Sequence, residues 1–268
     1  MNRAPIAQKF WMMVALTMAL LNLLPLIWMV ILSGSRVHAE TGRLQPDLAA
    51  FHRLFSTLPV WRWTLNSLLV SVAVTGGNLL FCSMAGFAFA RKRAPGLRLL
   101  FWLCLATMMI PAQISVIPLF LMATKLRLVN TYTALIVPSL ATGFGIFLMR
   151  QFISTLPASL FEAARIDGCN EWQIFVRIVL PLVRPALAVL GIFAFTSSWN
   201  DFLWPLVICN RRDMWTLPVG LASLQSEFNV DTSLLMAGAC FAAVPMIALF
   251  FAFQRHFVSG LTMGAVKG

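Results

Sequence analysis

Residues 154–181 read Ser154-Thr155-Leu156-Pro157-Ala158-Ser159-Leu160-Phe161-Glu162-Ala163-Ala164-Arg165-Ile166-Asp167-Gly168-Cys169-Asn170-Glu171-Trp172-Gln173-Ile174-Phe175-Val176-Arg177-Ile178-Val179-Leu180-Pro181. This mostly polar island lies between long apolar segments. Proline suits the first helical position, and the Ala, Leu and Glu that follow favour helix. Gly168 accepts the left-handed conformation that ends one, so a short helix is expected from Pro157 to Asp167. Asn170 is placed to cap a second helix, and Gln173 three residues on completes the pattern of a capping box. Leu180-Pro181 is expected to break that second helix. The stretch therefore reads as helix–turn–helix, and its meaning depends on what flanks it.

The flanks are those of a membrane protein. Of 268 residues, 60% are hydrophobic and only 11% charged, against about 25% charged in a soluble domain; mean hydropathy is +0.84. Six apolar segments cover roughly 10–33, 65–90, 98–123, 133–149, 184–208 and 234–254, each near the ~20 residues that cross a bilayer as helix. Strands are excluded because backbone groups in lipid must be satisfied within the segment. The first apolar run is longer than the core of a signal peptide, and no small-residue cleavage site follows it; it reads as a retained anchor. The fold class is all-α, polytopic, with six transmembrane helices in one domain over 1–268 and the polar loop 155–182 inside it.

The net charge of +11 would suggest nucleic acid in a soluble protein, but here it reflects loops held against a membrane. Arg3 and Lys9 precede the first span. Arg91, Lys92, Arg93 and Arg98 lie between the second and third, and Arg150, Arg165, Arg177 and Arg184 in or beside the long loop. Arg255 and Lys267 follow the sixth. These regions share one side of a six-span topology and hold 12 of the 20 basic residues, which makes that side cytoplasmic, with both termini there. Against this, the first opposite loop carries Arg36, Arg43, Arg53 and Arg62 beside Glu40 and Asp47.

Prolines interrupt several spans: Pro111 and Pro118 in the third, Pro138 in the fourth, Pro185 and Pro205 in the fifth, Pro245 in the sixth. Each removes a backbone donor. Kinked helices around a moving pathway and ordinary membrane tolerance of proline both account for them. The five cysteines form no CxxC pair and sit mostly in apolar runs, and His38, His52 and His256 are scattered, so neither a metal site nor a nucleophile triad is indicated.

In the polar loop, small Ala163 and Ala164 beside bulky Leu160 and Phe161 suit a helix laid in a groove on another protein. The other reading is an amphipathic helix on the membrane interface, in which Glu162 and Asp167 would face anionic lipid.

The loop resembles the EAA loop of ATP-binding-cassette (ABC) importer permeases, without a gap. The resemblance extends to Leu65-Asn66-Ser67-Leu68-Leu69, Met109-Ile110-Pro111, Phe147-Leu148-Met149-Arg150-Gln151-Phe152, Trp199-Asn200-Asp201-Phe202, and Gly260-Leu261-Thr262 with Gly264-Ala265-Val266-Lys267-Gly268. Together these are similar to the MalG-like permeases of carbohydrate importers, over essentially the full length. Asp201 stands where such permeases often have glutamate. The resemblance implies a MetI-like ABC permease core in the bacterial inner membrane. It also implies a second, MalF-like permease, two ATPase subunits that bind the ATP, an extracytoplasmic substrate-binding protein and a carbohydrate substrate. In that scheme the coupling residues are Glu162, Ala163, Ala164, Arg165, Asp167 and Gly168. Glu162 would make a polar contact to an ATPase, the alanines would allow close packing and Gly168 would permit the turn.

An independent feature agrees. The only lysines are Lys9, Lys92, Lys125 and Lys267, and none follows a glycine, so no GxxxxGK[ST] phosphate loop exists in this sequence. ATP-driven action has to come from a partner, and no cofactor or enzymatic activity is expected of this chain. Trp199, Asn200 and Asp201 are candidate pathway residues, since an ionisable group within a span is a functional hypothesis; capping and tying of the fifth span is the structural alternative. The outer loop 209–233, with Trp215–Leu221, either touches the binding protein or lies on the interface. The competing function is a stand-alone ion-coupled transporter or channel, for which Asp201 is nearly the sole relay candidate.

Overall fold

The computed structural model describes residues 4–37, 44–92, 94–225 and 231–262. The basic residues Arg3, Arg43, Arg93 and Lys267, Glu40 and His38, and the terminal Gly264–Gly268 motif lie outside the described residues. In chain order come α1 (Ala4–Ser33), a hairpin of β1 (Ser35–Val37) and β2 (Leu44–Pro46), α2 (Ala49–Thr57), α3 (Val60–Arg91), α4 (Leu97–Thr107), α5 (Ala112–Lys125) and α6 (Tyr132–Ile136). Then follow α7 (Gly143–Ser154), α8 (Ala158–Ile166), α9 (Glu171–Ile174), α10 (Leu180–Leu182), α11 (Arg184–Trp199), α12 (Leu203–Ile208), α13 (Leu217–Ala222) and α14 (Thr232–Thr262). In the hairpin Arg36 stands opposite Gln45 in an antiparallel register.

Among the described residues, three helices are long and apolar enough to cross a membrane unaided: Gln8–Ser33, Val60–Arg91 and Thr232–Phe253. Three bent pairs bring the number to six: α4 with α5 at 104°, α6 and its 3-10 extension with α7 at 42°, and the helix Glu171–Leu182 with α11 at 81°. The third and fourth expected spans, 98–123 and 133–149, are therefore bent pairs, and the fifth, 184–208, is interrupted between α11 and α12. Pro111 has extended backbone ahead of α5, and the residues before it close 3-10 turns instead of continuing α4, because proline disfavours a helical predecessor. Pro138 sits in the 3-10 turn Val137–Ser139. Pro118 and Pro245, by contrast, stay inside continuous helices.

The expected break at Leu180-Pro181 moves to Val183. The chain passes Pro181 as helix by widening into a π-helical turn over Phe175–Val179, which leaves room where the ring would otherwise meet the preceding turn. Helicity ends only at Val183, and α11 restarts with Pro185 in its first turn, where a missing N–H costs nothing. An 81° bend separates the Glu171–Leu182 helix from α11.

The described chain parts into two compact units. One holds the residues up to Trp61 and Gly220–Pro245. In it Ser233 donates to the Ser35 carbonyl at 2.8 Å, Arg53 pairs with Asp231, and Phe55, Trp61 and Phe241 form an aromatic cluster. Within α1 the most apolar stretch buries none of its residues in the chain.

The second unit, Arg62–Val219 with Met246 onward, is organised along α3. Near Arg91 a core gathers Phe87, Met149, Ile153, Phe161, Ile174 and Phe175. Near the other end a second core gathers Val70, Val74, Leu135, Trp204 and Ile208. Between them α3 and α7 touch backbone to backbone. A Cβ on Gly86 would stand 2.8 Å from the Arg150 nitrogen, and one on Gly145 would stand 2.7 Å from the Cys82 sulfur. Small residues permit this approach, as helix packing in lipid demands.

Candidate functional site

The polar loop folds as its local chemistry dictates, with its first helix shifted by one residue. Pro157 is the N-cap of α8 rather than its first helical residue. Asp167 is its C-cap, and Gly168 takes φ +81°, so any Cβ there is strained. Asn170 Oδ1 accepts from the Gln173 N–H at 2.8 Å, and Gln173 Oε1 accepts from the Asn170 N–H at 2.9 Å. The capping box is complete.

Packing then decides which face is free. Phe161 (3% exposed) and Ala164 (5% exposed) turn into the core near Arg91. This corrects the expectation that Phe161 fills a partner's pocket and that Ala164 admits a partner's backbone. The small Ala164 instead lets α8 sit close on its own chain. Burying a side chain such as Phe161 contributes about 1.5–3 kcal/mol, which fixes the helix in roll. Glu162, Ala163, Arg165 and Asp167 are exposed on the opposite side. Among them lies Ile166, 86% exposed, with Trp172 at 57% on the next helix. Sequence reading missed both. The spacing of Phe161 from Ile166, five residues or about 140° around a helix, was the available signal.

The loop is fastened to the end of α3. Arg91 donates to the carbonyl of Ile153 at 2.7 Å and to that of Leu156, and its guanidinium lies 4.2 Å over the Phe161 ring. Lys92 pairs with Glu171 at 2.8 Å and Arg165 with the same carboxylate at 3.2 Å. Hydrogen bonding from Lys92, with further attraction from Lys92 and Arg165, outweighs partial desolvation and holds the Glu171 carboxyl below the ordinary carboxylate range. Glu162 and Asp167 have no ion-pair partner among the described residues, and both are exposed.

The three candidate pathway residues have different surroundings. Trp199 is 2% exposed and stacks on Phe195 at 5.9 Å. Asn200 is exposed and donates back to the Thr196 carbonyl at 2.9 Å. Asp201, in the break between α11 and α12, lines a cavity of about 90 Å³ with Asn78, Ser139, Thr142, Ser198 and Thr216.

Two buried asparagines on α3 were not assigned a role from sequence. Asn78 donates to the carbonyls of Val74 at 3.1 Å and Ser139 at 2.6 Å, and accepts from Thr142 at 3.0 Å; Thr142 in turn accepts from the Gly145 N–H and so caps α7. Asn66 donates to the carbonyls of Asp213 and Trp215, both at 2.8 Å, and accepts from the Tyr132 hydroxyl at 2.7 Å. Ser67 accepts from the Leu217 N–H at 2.8 Å. The Asn-Ser pair thus anchors the loop 211–217 to α3. Among the described residues no three His, Cys, Asp or Glu side chains gather as metal ligands.

Residues 82–263 match the family described as binding-protein-dependent transport system inner membrane component. The chain is 46% identical over 208 residues to the arabinooligosaccharides transport system permease protein AraQ of Halalkalibacterium halodurans, covering 78% of this chain and 75% of that protein. It is 33% identical over 255 residues to the lactose transport system permease protein LacG of Rhizobium radiobacter, covering 93% and 92%. Among solved structures, a chain of a bacterial ABC transporter that imports the acidic polysaccharide alginate superposes with a TM-score of 0.86 at 26% identity, over 96% of this chain and 99% of that one.

Proposed function

This chain belongs to the family of binding-protein-dependent transport system inner membrane components, and from that premise we propose that it couples carbohydrate import to a separate ATPase through the outward face of α8. It is the membrane-spanning permease subunit of an ABC importer. It pairs with a second permease, two ATPase subunits carry the ATP, and a soluble binding protein delivers the substrate. The relatives' named substrates support a sugar or oligosaccharide. The basic loop ends support a cytoplasmic side for the Arg91 end of α3, α8 and both termini.

One observation carries the coupling reading. The helix α8 is locked on one face by Phe161 and Ala164 and fastened to α3 by Arg91. Its other face offers carboxylates without an ion-pair partner among the described residues, beside the exposed Ile166. A charged rim around an exposed apolar anchor is the anatomy of a protein interface. A helix rigidly seated on the membrane domain transmits a push from its partner instead of absorbing it. Glu162, Ala163, Ile166 and Asp167 form the contact. Arg165 steadies it through Glu171, Gly168 makes the turn, and Ala164 seats the helix. In the pathway, Asp201 faces the interior cavity, while Trp199 and Asn200 hold the end of α11.

The test is transport in cells carrying the complete system. Glu162→Lys is expected to abolish uptake of labelled oligosaccharide, and Ile166→Asp to release the ATPase from the detergent-extracted complex, both at normal membrane abundance. Uptake at wild-type rate by Glu162→Lys defeats the assignment.

A further inference from the structure

A cavity of about 640 Å³ opens beside the Arg91 end of α3, lined by Lys92, Leu97, Arg98, Phe101, Trp102 and Arg150 among others. Among the described residues no carboxylate lines it. Lys92 is already paired with Glu171, which leaves Arg98 and Arg150 as cations without an ion-pair partner among the described residues. The Arg150 guanidinium lies 4.1 Å over the Phe101 ring, and its Nε is buried with no hydrogen-bond acceptor. A buried, unpaired guanidinium N–H is costly unless something accepts from it. The N-terminus of α4, an 11-residue helix, also reaches the cavity through Leu97 and has no side-chain cap. Its dipole therefore adds to the attraction for an anion.

The surroundings select the kind of anion. The charges lie where spans end, at the depth at which arginine heads reach water. Directly along α4, Leu99, Leu100, Trp102 and Leu103 are 53–64% exposed, and Trp102 is the residue type that marks a membrane–water interface. A ligand that fits both parts carries a phosphate at one end and hydrocarbon at the other. We propose that this cavity holds the phosphate headgroup of an anionic phospholipid, with its acyl chains laid along the exposed face of α4. Arg150 and Arg98 grip the phosphate, Phe101 fixes the guanidinium plane, and α4 guides the chains. The site needs only that these spans cross a bilayer, and stands apart from the coupling role of α8.

The experiment is native mass spectrometry on the full chain, purified in mild detergent, delipidated and titrated with phosphatidylglycerol, phosphatidylcholine or inorganic phosphate. One phosphatidylglycerol is expected to be retained in preference to phosphatidylcholine. Arg98→Gln is expected to weaken retention about five-fold, and the double variant with Arg150→Gln more, as loss of successive basic contacts to an anionic headgroup does. Arg150→Lys should restore only part, since it keeps the charge and loses the stacked fork. Because Arg98 is exposed, its variant folds and carries the decision. Equal retention of the two lipids, or wild-type retention by Arg98→Gln, overturns the proposal. So does displacement of the lipid by equimolar inorganic phosphate, which makes it a free-anion site. Loss of a co-purifying protein from Arg98→Gln with no lipid ever retained assigns the cavity to a partner's carboxylate and overturns it as well.

Discussion

The two ends of α3 each hold a loop, and they do it with different chemistry. At the end near Asn66, mainly neutral amide, hydroxyl and indole groups reach backbone carbonyls and N–H groups of residues 211–217: Asn66, Ser67, and Trp63, whose Nε1 donates to the Arg212 carbonyl at 3.1 Å, with one exposed cation, Arg62, donating to the Asp213 carbonyl at 3.3 Å. Trp63, Asn66 and Ser67 are all buried. At the end near Arg91, the loop carrying α8 and α9 is held by cations: Arg91 on two carbonyls and the Phe161 ring, Lys92 and Arg165 on Glu171. Those ion pairs are roughly 40% exposed. Buried neutral hydrogen bonds respond little to salt or pH, whereas exposed ion pairs respond to both. The 211–217 loop is thus set in place. The proposed coupling loop combines one firm fastening with one adjustable pair, which suits an element that must follow a moving partner.

The comparison is sharpest at Asn66. Asn66→Leu removes three hydrogen bonds and takes their partner from the Trp215 carbonyl and the Tyr132 hydroxyl, while the Asp213 carbonyl keeps Arg62, a loss of about 3 kcal/mol. The loop should detach, and Cys209, now buried and free, should become reactive toward maleimide. An unreactive Cys209 in that variant breaks the claim that the asparagine fastens the loop. Arg91→Gln comes next. It loses the reach to Ile153 and Leu156 and the cation–aromatic contact, about 2 kcal/mol. Labelling of the half-buried Cys169 behind α8 should rise while that of Cys209 stays flat.

The smallest effect belongs to Glu171, whose exposed pairs are worth under about 1 kcal/mol. Hydrogen exchange in α8 and α9 should quicken as ionic strength rises to about 1 M, where charges are screened beyond ~3 Å, and should not in Glu171→Gln. The pH response has a definite sign. The Glu171 carboxyl is held below its ordinary 4.5, so its stabilisation is fully present above that value and disappears as pH falls through the lower folded value. The Asn66 end holds Asp213 by its backbone carbonyl, so acid should leave that fastening intact. Equal loosening of both loops by salt would erase the distinction.

What the sequence determined by itself was everything governed within a few residues. The capping box at Asn170 and Gln173, the turn at Gly168, the helices on either side and the apolar lengths of the six spans all follow from neighbours within about one helical turn. Whether a proline breaks its helix was already less legible. Pro181 is carried by a π-helical turn and Pro111 is not, and the choice rests on what packs around each. Only the tertiary structure decided that Phe161 and Ala164 face inward while Ile166 faces out. It alone gave Asn66, Asn78 and Arg91 their distant partners, 61 to 149 residues away along the chain. A side chain's roll and a buried polar group's partner depend on what the fold brings alongside, and no local pattern records that.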